Sequence, residues 1–321
     1  MGSGGSLLSF AARRILLIIP LLLVISLGVF SLVLLLPGNP AVALAGGIHS
    51  TPQEVAAVER QLHLNEGFWA QYWLWLKGVL HGDLGSSLFQ HQTVANGISG
   101  RFPITFSLAL GGTIAAILIG IPAGILSGVR QGTAEDRLVT LGSSLGVAIP
   151  DFWLAMILVI VFAVHLQLLP VLGFVPFSTS PGEWFLHLIL PWLALGIGGS
   201  AIIARQVRGE LINTLDQDYI RTARAKGIQS RSVIGKHALK NALSPAVTVI
   251  GIQFGYLLGG TFIIEQIFSL PGIGTYTLQA IAAKDLPVIQ GVVLVTATSF
   301  VVVNLLVDLT YGLLNPKVRL G

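Results

Sequence analysis

Six long apolar runs, separated by shorter polar segments, set the pattern of the chain. A bilayer core about 30 Å thick needs some 20 residues of helix at about 1.5 Å per residue, so each run is long enough to cross a membrane. This pattern predicts an all-α polytopic membrane protein with six transmembrane helices. The runs cover residues 15–36, 104–128, 138–169, 186–204, 243–264 and 288–314.

The third run is interrupted by Pro150, which is followed by Asp151. Proline lacks a backbone donor and clashes with the preceding turn, so a kink is expected there. A charge inside a span costs about 2.5 to 3.5 kcal/mol on insertion scales, which makes Asp151 a candidate functional residue. Capping of the helix that restarts after Pro150 explains it equally well. Glycines in the second run favour close helix packing; they lie at positions 111, 112, 120, 124 and 128.

The composition agrees with this pattern and excludes a soluble domain, a nucleic-acid-binding protein and a cysteine-based site. The chain is 53% hydrophobic and only 10% charged, whereas soluble domains carry roughly 25% charged residues. Its net charge of +4 comes from 18 basic and 14 acidic residues that do not gather in one segment, so no nucleic-acid partner is expected. The absence of cysteine excludes disulfides and a thiolate nucleophile.

Lysine and arginine are unevenly divided between the segments that join the runs. Cytoplasmic segments retain these residues. When the Arg13 end is placed inside, 14 of the 18 basic residues fall inside and four outside. Residues 1–14 and 315–321 are therefore predicted to be cytoplasmic tails. A cleaved signal peptide is the alternative for the first run, but its 22 apolar residues exceed a signal core of about 7 to 15 residues.

Two of the joining segments, residues 37–103 outside and 205–242 inside, are long enough to fold. In the outer one, residues 51–54 (Thr-Pro-Gln-Glu) form a capping-box pattern that opens a helix toward Leu64. A second helix is expected over residues 68–80, which carry five aromatic side chains. Such side chains suit the boundary between membrane and water. A contact surface for a partner protein is the alternative.

The inner segment is predicted to form two short helices joined by a tight turn. Asp216 and Asp218 are expected to cap the first helix, which ends at Gly227 in a left-handed conformation. The second is expected to run from Ser230 to Pro245. The segment is too polar to cross the bilayer, and a basic helix resting on anionic lipid is the alternative to a protein contact.

This inner segment resembles the cytoplasmic signature of ATP-binding-cassette (ABC) importer permeases. In the general pattern Glu-Ala-Ala, three residues, Gly, nine residues, Ile-any-Leu-Pro, the chain keeps Ala223, Gly227 and Leu239. It departs from that pattern at Arg221, Thr222, His237 and Lys240. The version typical of peptide importers is matched much more closely, over residues 218–227 and 237–242.

Further stretches resemble the same branch and follow in the family's order along the chain. They are residues 36–40, 82–87, 265–274, 285–287 and 304–308. Taken together, the chain is similar to the first permease subunit of dipeptide, oligopeptide or nickel importers. The resemblance implies the fold of a type I ABC importer permease, with residues 104–314 as a core of five spans after the first helix.

The resemblance also implies sites and partners. A coupling helix would seat on a cytosolic ATPase through Arg221, Thr222, Ala223, Arg224, Ala225, Lys226 and Gly227. A gate or a docking surface for an extracytoplasmic solute-binding protein would include Glu265, Pro271, Gly272, Gly274 and Asp285. Asp151 becomes the candidate residue of the translocation pathway. The implied assembly contains a second homologous permease, two ATPase subunits and the binding protein, in the cytoplasmic membrane of a bacterium or archaeon.

The chain lacks the chemistry for hydrolysing ATP itself. A phosphate-binding loop requires Gly, four residues, Gly-Lys-Ser/Thr, but Gly235-Lys236 is followed by His237 and preceded by Ser230 at the leading glycine position. ATP and Mg²⁺ are therefore expected in partner subunits, with no cofactor in this chain. No metal site is expected from the outer histidines, because they show no helical i, i+4 pair; these are His49, His63, His81 and His91.

Three alternatives in function stay open at this point. Residues 97–100 (Gly-Ile-Ser-Gly) resemble the serine motif of rhomboid-type intramembrane proteases, with Ser99 as nucleophile and His165 or His187 as base. A self-contained secondary transporter or channel is the second alternative, although no clear inverted repeat is visible. An importer of nickel chelates or glutathione is the third.

Overall fold

A computed structural model describes residues 7–35, 41–42, 50–61, 65–90 and 92–314. Its helices are α1 Leu7–Leu35, α2 Pro52–Gln61, α3 Phe68–Leu80, α4 Val94–Val129, α5 Ala134–Ala148, α6 Asp151–Leu158, α7 Pro181–Leu215, α8 Asp218–Ala225, α9 Leu239–Gly260, α10 Phe262–Ile267, α11 Ile273–Ala283 and α12 Leu286–Leu314. Two π-helical segments adjoin them: Val159–His165 continues α6, and Val233–Ala238 follows the turn Ser230–Ser232 and leads into α9.

Five of the described helical stretches are long and apolar enough to cross a membrane: α1, α4, α7, α9 together with the turns before it, and α12. Helices α5 and α6 form a sixth span when they are taken as one broken element. The predicted all-α polytopic fold is therefore confirmed. The expected interruption at Pro150 is present, but it is a 102° bend and not a slight kink, because Ile149 and Pro150 both have extended backbone dihedrals.

Several predicted boundaries were wrong. Helix α4 begins at Val94, so residues 94–103 of the predicted outer segment are helical. The second inner helix does not end at Pro245, which lies inside α9. Proline is tolerated within a spanning helix because neighbouring groups can satisfy the freed backbone carbonyl. The fifth span ends at Gly260, and the residues after it form the separate helix α10.

The chain divides into two compact units. Unit one comprises residues 1–15, 103–275 and 299–321, and unit two comprises residues 16–102 and 276–298. The core of unit one is organised around α7, which contributes fully buried side chains such as Leu188, Leu190 and Ile203. Each unit thus has its own packed interior.

Glycines of α4 allow that helix to approach α7 within unit one. A Cβ atom added to Gly120 would lie 2.6 Å from the carbonyl oxygen of Ser200, and one added to Gly124 would lie 2.7 Å from that of Ala204. Real Cβ atoms do not make contacts this short, so a larger residue would force the helices apart. The predicted packing role of the α4 glycines is confirmed, since the other three also face α7.

Unit two places the aromatic helix α3 against α1. Phe30 of α1 contacts the rings of Phe68, Tyr72 and Trp75, with centroid distances of 5.4 to 5.6 Å. The hydroxyls of Ser26 and Tyr72 share a hydrogen bond of 2.8 Å. Helix α3 has the predicted bounds, and Val55 N–H bonds to Thr51 O at the start of α2. Glu54, the other half of the predicted capping box, has a side chain outside the described atoms.

Candidate functional site

The predicted coupling segment is helix α8, an exposed helix with a small buried face. Ile220 is fully buried and Ala223 nearly so. They pack against apolar residues of α7, of α9 and of the segment that leads into α9: Leu211, Val233, Ala238 and Ala242. The other members of the predicted coupling set are exposed: Arg221, Thr222, Arg224, Ala225, Lys226 and Gly227. Ala223 is therefore an anchor for the segment, and the basic residues around it form the free surface.

The ends of α8 differ partly from the sequence prediction. Asp216 is the C-cap of α7, and the N-cap of α8 is Gln217, whose side chain makes no capping bond. The predicted cap by an aspartate was therefore wrong, but Asp218 does place a carboxylate in the first turn of α8. Gly227 does adopt the left-handed conformation, with φ of 75°. The sequence prediction also missed Tyr219, whose hydroxyl donates to His237 O at 3.2 Å and accepts from Asn241 Nδ2 at 2.9 Å. This tyrosine ties α8 to the helix that follows.

An ion pair with a buried aspartate joins the first turn of α5 to α7, one helical turn before Leu211. Asp136 accepts hydrogen bonds from Arg208 Nε at 2.6 Å and Nη2 at 2.9 Å. Ser127 Oγ donates to the same carboxylate at 2.5 Å, and Gly132 N–H donates at 2.9 Å. The sequence does not predict this pair, because its partners are 72 positions apart. Thr133, the N-cap of α5, is a local signal only for the start of that helix.

The predicted gate residue Glu265 is fully buried in unit one. Its carboxylate accepts from the hydroxyls of Thr105 at 2.7 Å and Thr261 at 3.1 Å. It also accepts from the backbone N–H of Thr275 at 2.8 Å. Thr105 in turn accepts from the N–H of Ile273 at 2.8 Å. This cluster fixes the segment between α10 and α11, and burial excludes a direct docking contact by Glu265 in this conformation.

Two glycines of the predicted gate complete that cluster. A Cβ atom on Gly272 would collide with the carboxylate of Glu265, and one on Gly274 would lie 2.6 Å from Cβ of Phe262. Pro271 is exposed beside them. The sequence motif of residues 265–274 is thus a compact turn folded over its own first residue.

Asp285, the remaining predicted gate residue, belongs to a different cluster, in unit two. Its carboxylate accepts from Ser87 Oγ at 2.5 Å and from the N–H of Leu88 at 3.3 Å. Gly85 has a φ of 84°, and an added Cβ atom there would lie 3.6 Å from Cβ of Pro287. Two motifs that are separated by about 200 residues of sequence, residues 82–87 and 285–287, therefore form one contact.

The motif of residues 97–100 also has a packing role in unit two. Gly97 lies directly against the ring of Tyr276, and the guanidinium of Arg101 stands 4.1 Å from that ring's centroid. Burial, with a contribution from Asp285, raises the pKa of the Tyr276 phenol, while Arg101 opposes the shift. Ser99 is exposed and donates to Asn96 O at 3.0 Å. The first glycine of the motif is thus explained by contact with an aromatic ring.

Asp151 is the first residue of α6 and is half-buried in unit one. Its carboxylate lies over Gly198 of α7, where an added Cβ atom would stand 2.9 Å from Oδ1. The amide of Gln253 lies near the neighbouring Gly199. Of the predicted outer histidines, His81 bonds through Nδ1 to Lys77 O, whereas His49, His63 and His91 fall outside the described residues, as does the motif of residues 36–40.

Comparison with known proteins identifies the family. A family model described as binding-protein-dependent transport system inner membrane component matches residues 120–320, and a model for the N-terminal part of such components matches residues 7–109. The chain is 42% identical to the dipeptide transport system permease protein DppB of Alkalihalophilus pseudofirmus, over 98% of this chain and all of that protein. It is 38% identical to DppB of Escherichia coli K12 and 37% identical to the E. coli O6:H1 glutathione transport system permease protein GsiC, each over 98% of this chain and 99% of the relative.

A solved structure shares the fold. The chain aligns with a subunit of the MetNI methionine ABC transporter in an inward-facing conformation, with a TM-score of 0.55 and 19% identity, over 68% of this chain and 96% of that subunit. The matched family models extend over both the first helix and the core. The chain is a multi-pass membrane protein that belongs to the family of inner-membrane components of binding-protein-dependent transport systems.

Proposed function

We propose that this chain is the permease subunit of an ATP-driven importer of dipeptides or oligopeptides. Near full-length similarity to dipeptide permeases supports small peptides as the substrate class. Similarity to a glutathione permease agrees with this class, since glutathione is itself a small peptide. The family favours a permease that works with a binding protein over a self-contained secondary transporter or channel. ATP and Mg²⁺ belong to two partner ATPase subunits in this proposal, and a second homologous permease completes the pathway.

The geometry of α8 is the observation that carries the mechanism. The helix exposes a basic surface, while Ile220, Ala223 and Tyr219 attach it to α7 and α9. A segment held this firmly passes a push from an ATPase to the spanning helices as a rigid-body movement. Closure of the ATPase dimer on ATP would thus open the pathway outward, and hydrolysis would release the cargo inward.

Two ion pairs support the proposed topology, with both termini in the cytoplasm. Asp136 and Arg208 lie on joining segments that the charge count assigns to the inner side. Arg14, near the start of α1, pairs with Asp308, near the end of α12, at 2.8 Å. An even number of spans places both members of each pair on one face of the membrane, as such contacts require.

Reconstitution tests the function. We expect a complex of this chain, its second permease and the ATPases to take up a radiolabelled dipeptide into liposomes only when the liganded binding protein and ATP are supplied. This chain alone should transport nothing. Full-rate uptake without the ATPases contradicts the proposal, and so does a complete complex that fails to import any peptide bound by its binding protein.

Replacement of Gly227 by valine should weaken ATPase association while the protein still inserts into the membrane. A β-branched residue resists positive φ, at a cost of about 1–2 kcal/mol, and this strain would distort the end of α8. No atom lies within 4 Å of an added Cβ there, so the effect would come from the backbone and not from a clash. Co-purification of the ATPases with the permease measures the loss.

The matched control for this experiment is Gly235→Val in the following segment. That glycine also has open space around an added Cβ, but it lacks the positive φ. Normal ATPase binding and uptake by Gly227→Val, or an equal loss in both variants, would contradict a role for the turn.

A further inference from the structure

Asp151, the first residue of α6, lies beside the middle of helix α7. Gly198, the residue beneath its carboxylate, lies midway between Pro181 and Leu215, the two ends of α7. Asp151 also begins α6, immediately after the 102° break from α5. Secondary transporters place cargo sites near the bilayer midplane at interrupted helices, because the break frees polar groups there. The position of Asp151 is of this kind.

The carboxylate of Asp151 has no internal counter-charge. Among the residues that the structure describes, none donates a hydrogen bond or forms an ion pair with it, whereas Asp136, Glu265 and Asp285 each accept from two or more donors. Acids inside spans normally pair with another group or face an aqueous cavity. Since Asp151 is only half-buried, its side chain is accessible to a passing cargo molecule.

Helix capping does not account for the negative charge. The N-cap of α6 is Pro150, and no side chain caps the helix end. At the first helical position the negative charge of Asp151 interacts favourably with the helix dipole, but this contributes at most about 2 kcal/mol, less than the cost of placing a charge inside a span. An amide at this position would avoid most of the cost of placing a charge in the membrane. The charge itself therefore needs a further explanation.

A glycine of α7 leaves room for the carboxylate of Asp151, because an added Cβ on Gly198 would stand 2.9 Å from Oδ1. The neighbouring Gly199 packs toward α4, where an added Cβ would lie 3.2 Å from Cβ of Ala116 and 3.9 Å from the amide nitrogen of Gln253. Among the described residues, the side chain of Gln253 has no hydrogen-bond partner either. The carboxylate offers an acceptor for a cation, and the amide of Gln253, beside the next residue of α7, offers both a donor and an acceptor to a peptide group.

We propose that Asp151 is the counter-charge for the protonated amino group of the cargo as it passes the middle of the membrane. This inference rests on the proposed peptide importer, since a peptide carries an ammonium group at its amino terminus. The contact is transient and electrostatic, and no bond is made or broken. Gly198 is the positioning residue that leaves room for the carboxylate.

The experiment uses Asp151→Asn in the complete transporter, with dialanine as cargo. Asparagine keeps the size and capping ability of aspartate and removes only the charge. The number of peptides imported per ATP hydrolysed is expected to fall about tenfold, because a hydrogen bond to a charged group is lost. Asp151→Glu should retain most of the coupling. Glu183→Gln, an exposed acid in the first turn of α7, is the matched control and should leave the ratio unchanged.

A second pair of variants tests the geometry on the same helix. Gly198→Ala is expected to lower the ratio as well, since its methyl group would displace the carboxylate. Gly209→Ala is the control, because an added Cβ there has no atom within 4 Å. An Asp151→Asn transporter that imports as many peptides per ATP as the wild type overturns the inference. A wild type that imports no peptide contradicts the proposed function instead, so the two failures are distinguishable.

Discussion

Replacement of Glu265 by alanine is expected to give the largest loss of stability and of uptake among single substitutions outside the helix cores. The change removes the acceptor of two buried threonine hydroxyls and of the Thr275 backbone N–H. Each hydrogen bond to a charged group contributes about 1.5–3 kcal/mol, and unpaired buried donors cost more than absent ones. We expect a destabilisation of about 3–5 kcal/mol, measured by unfolding of the purified complex.

The adjacent Gln266→Ala is the matched control, because Gln266 is exposed. Its stability should lie within about 0.5 kcal/mol of the wild type. Glu265→Gln provides an intermediate, since the amide oxygen still accepts from Thr105 or Thr275 and the loss falls to about 1 kcal/mol. If Glu265→Ala and Gln266→Ala melt at the same temperature and import equally well, the cluster does not hold the segment between α10 and α11 in place.

The burial of Glu265 is a feature that the sequence does not predict. The motif of residues 265–274 predicts which segment forms the cluster. It does not predict which way each side chain points. Only the fold shows that the carboxylate points inward to Thr105, 160 positions earlier, and that Gly272 is required because the carboxylate occupies the space of a Cβ atom. The carboxylate therefore fixes the turn, and the gate or docking role of the segment stays a prediction.

Spans were predictable because their signal is local and strong. The length of the apolar runs predicts the five uninterrupted spans and the broken one. The left-handed conformation of Gly227 is predictable as well, because helices commonly end at a glycine in that conformation. Helix ends were less predictable. The extension of α4 to Val94 and the passage of α9 through Pro245 depend on packing partners that are distant in sequence.

Polar pairs between residues that are distant in sequence are not predictable for the same reason. Asp308 pairs with Arg14, which lies almost at the other end of the described chain. Ser87 and Asp285 each lie in a motif that was noticed, but neither motif indicates the other. Contacts of this type follow from the arrangement of helices, which periodicity does not specify.

Asp136→Ala is the second substitution for which we expect a large effect. It leaves the guanidinium of Arg208, which is about one third exposed, without its counter-charge, and it removes the acceptor of Ser127 and Gly132. Breaking a buried ion pair on one side costs about 3–5 kcal/mol, and partial exposure places this case near the lower end. Since α8 packs on Leu211, one turn beyond Arg208, uptake should fall together with stability.

The comparison of single and double variants separates the pair from its surroundings. Asp136→Ala combined with Arg208→Ala should be less destabilised than the sum of the two single variants, with a coupling of about 1–3 kcal/mol, because the double variant buries no lone charge. Glu135→Ala is the control: its pair with Arg130 is about half exposed on both sides, and such pairs contribute at most about 1 kcal/mol. Additive losses for Asp136 and Arg208, or an equal loss for Glu135→Ala, would mean that the turn is held by packing alone.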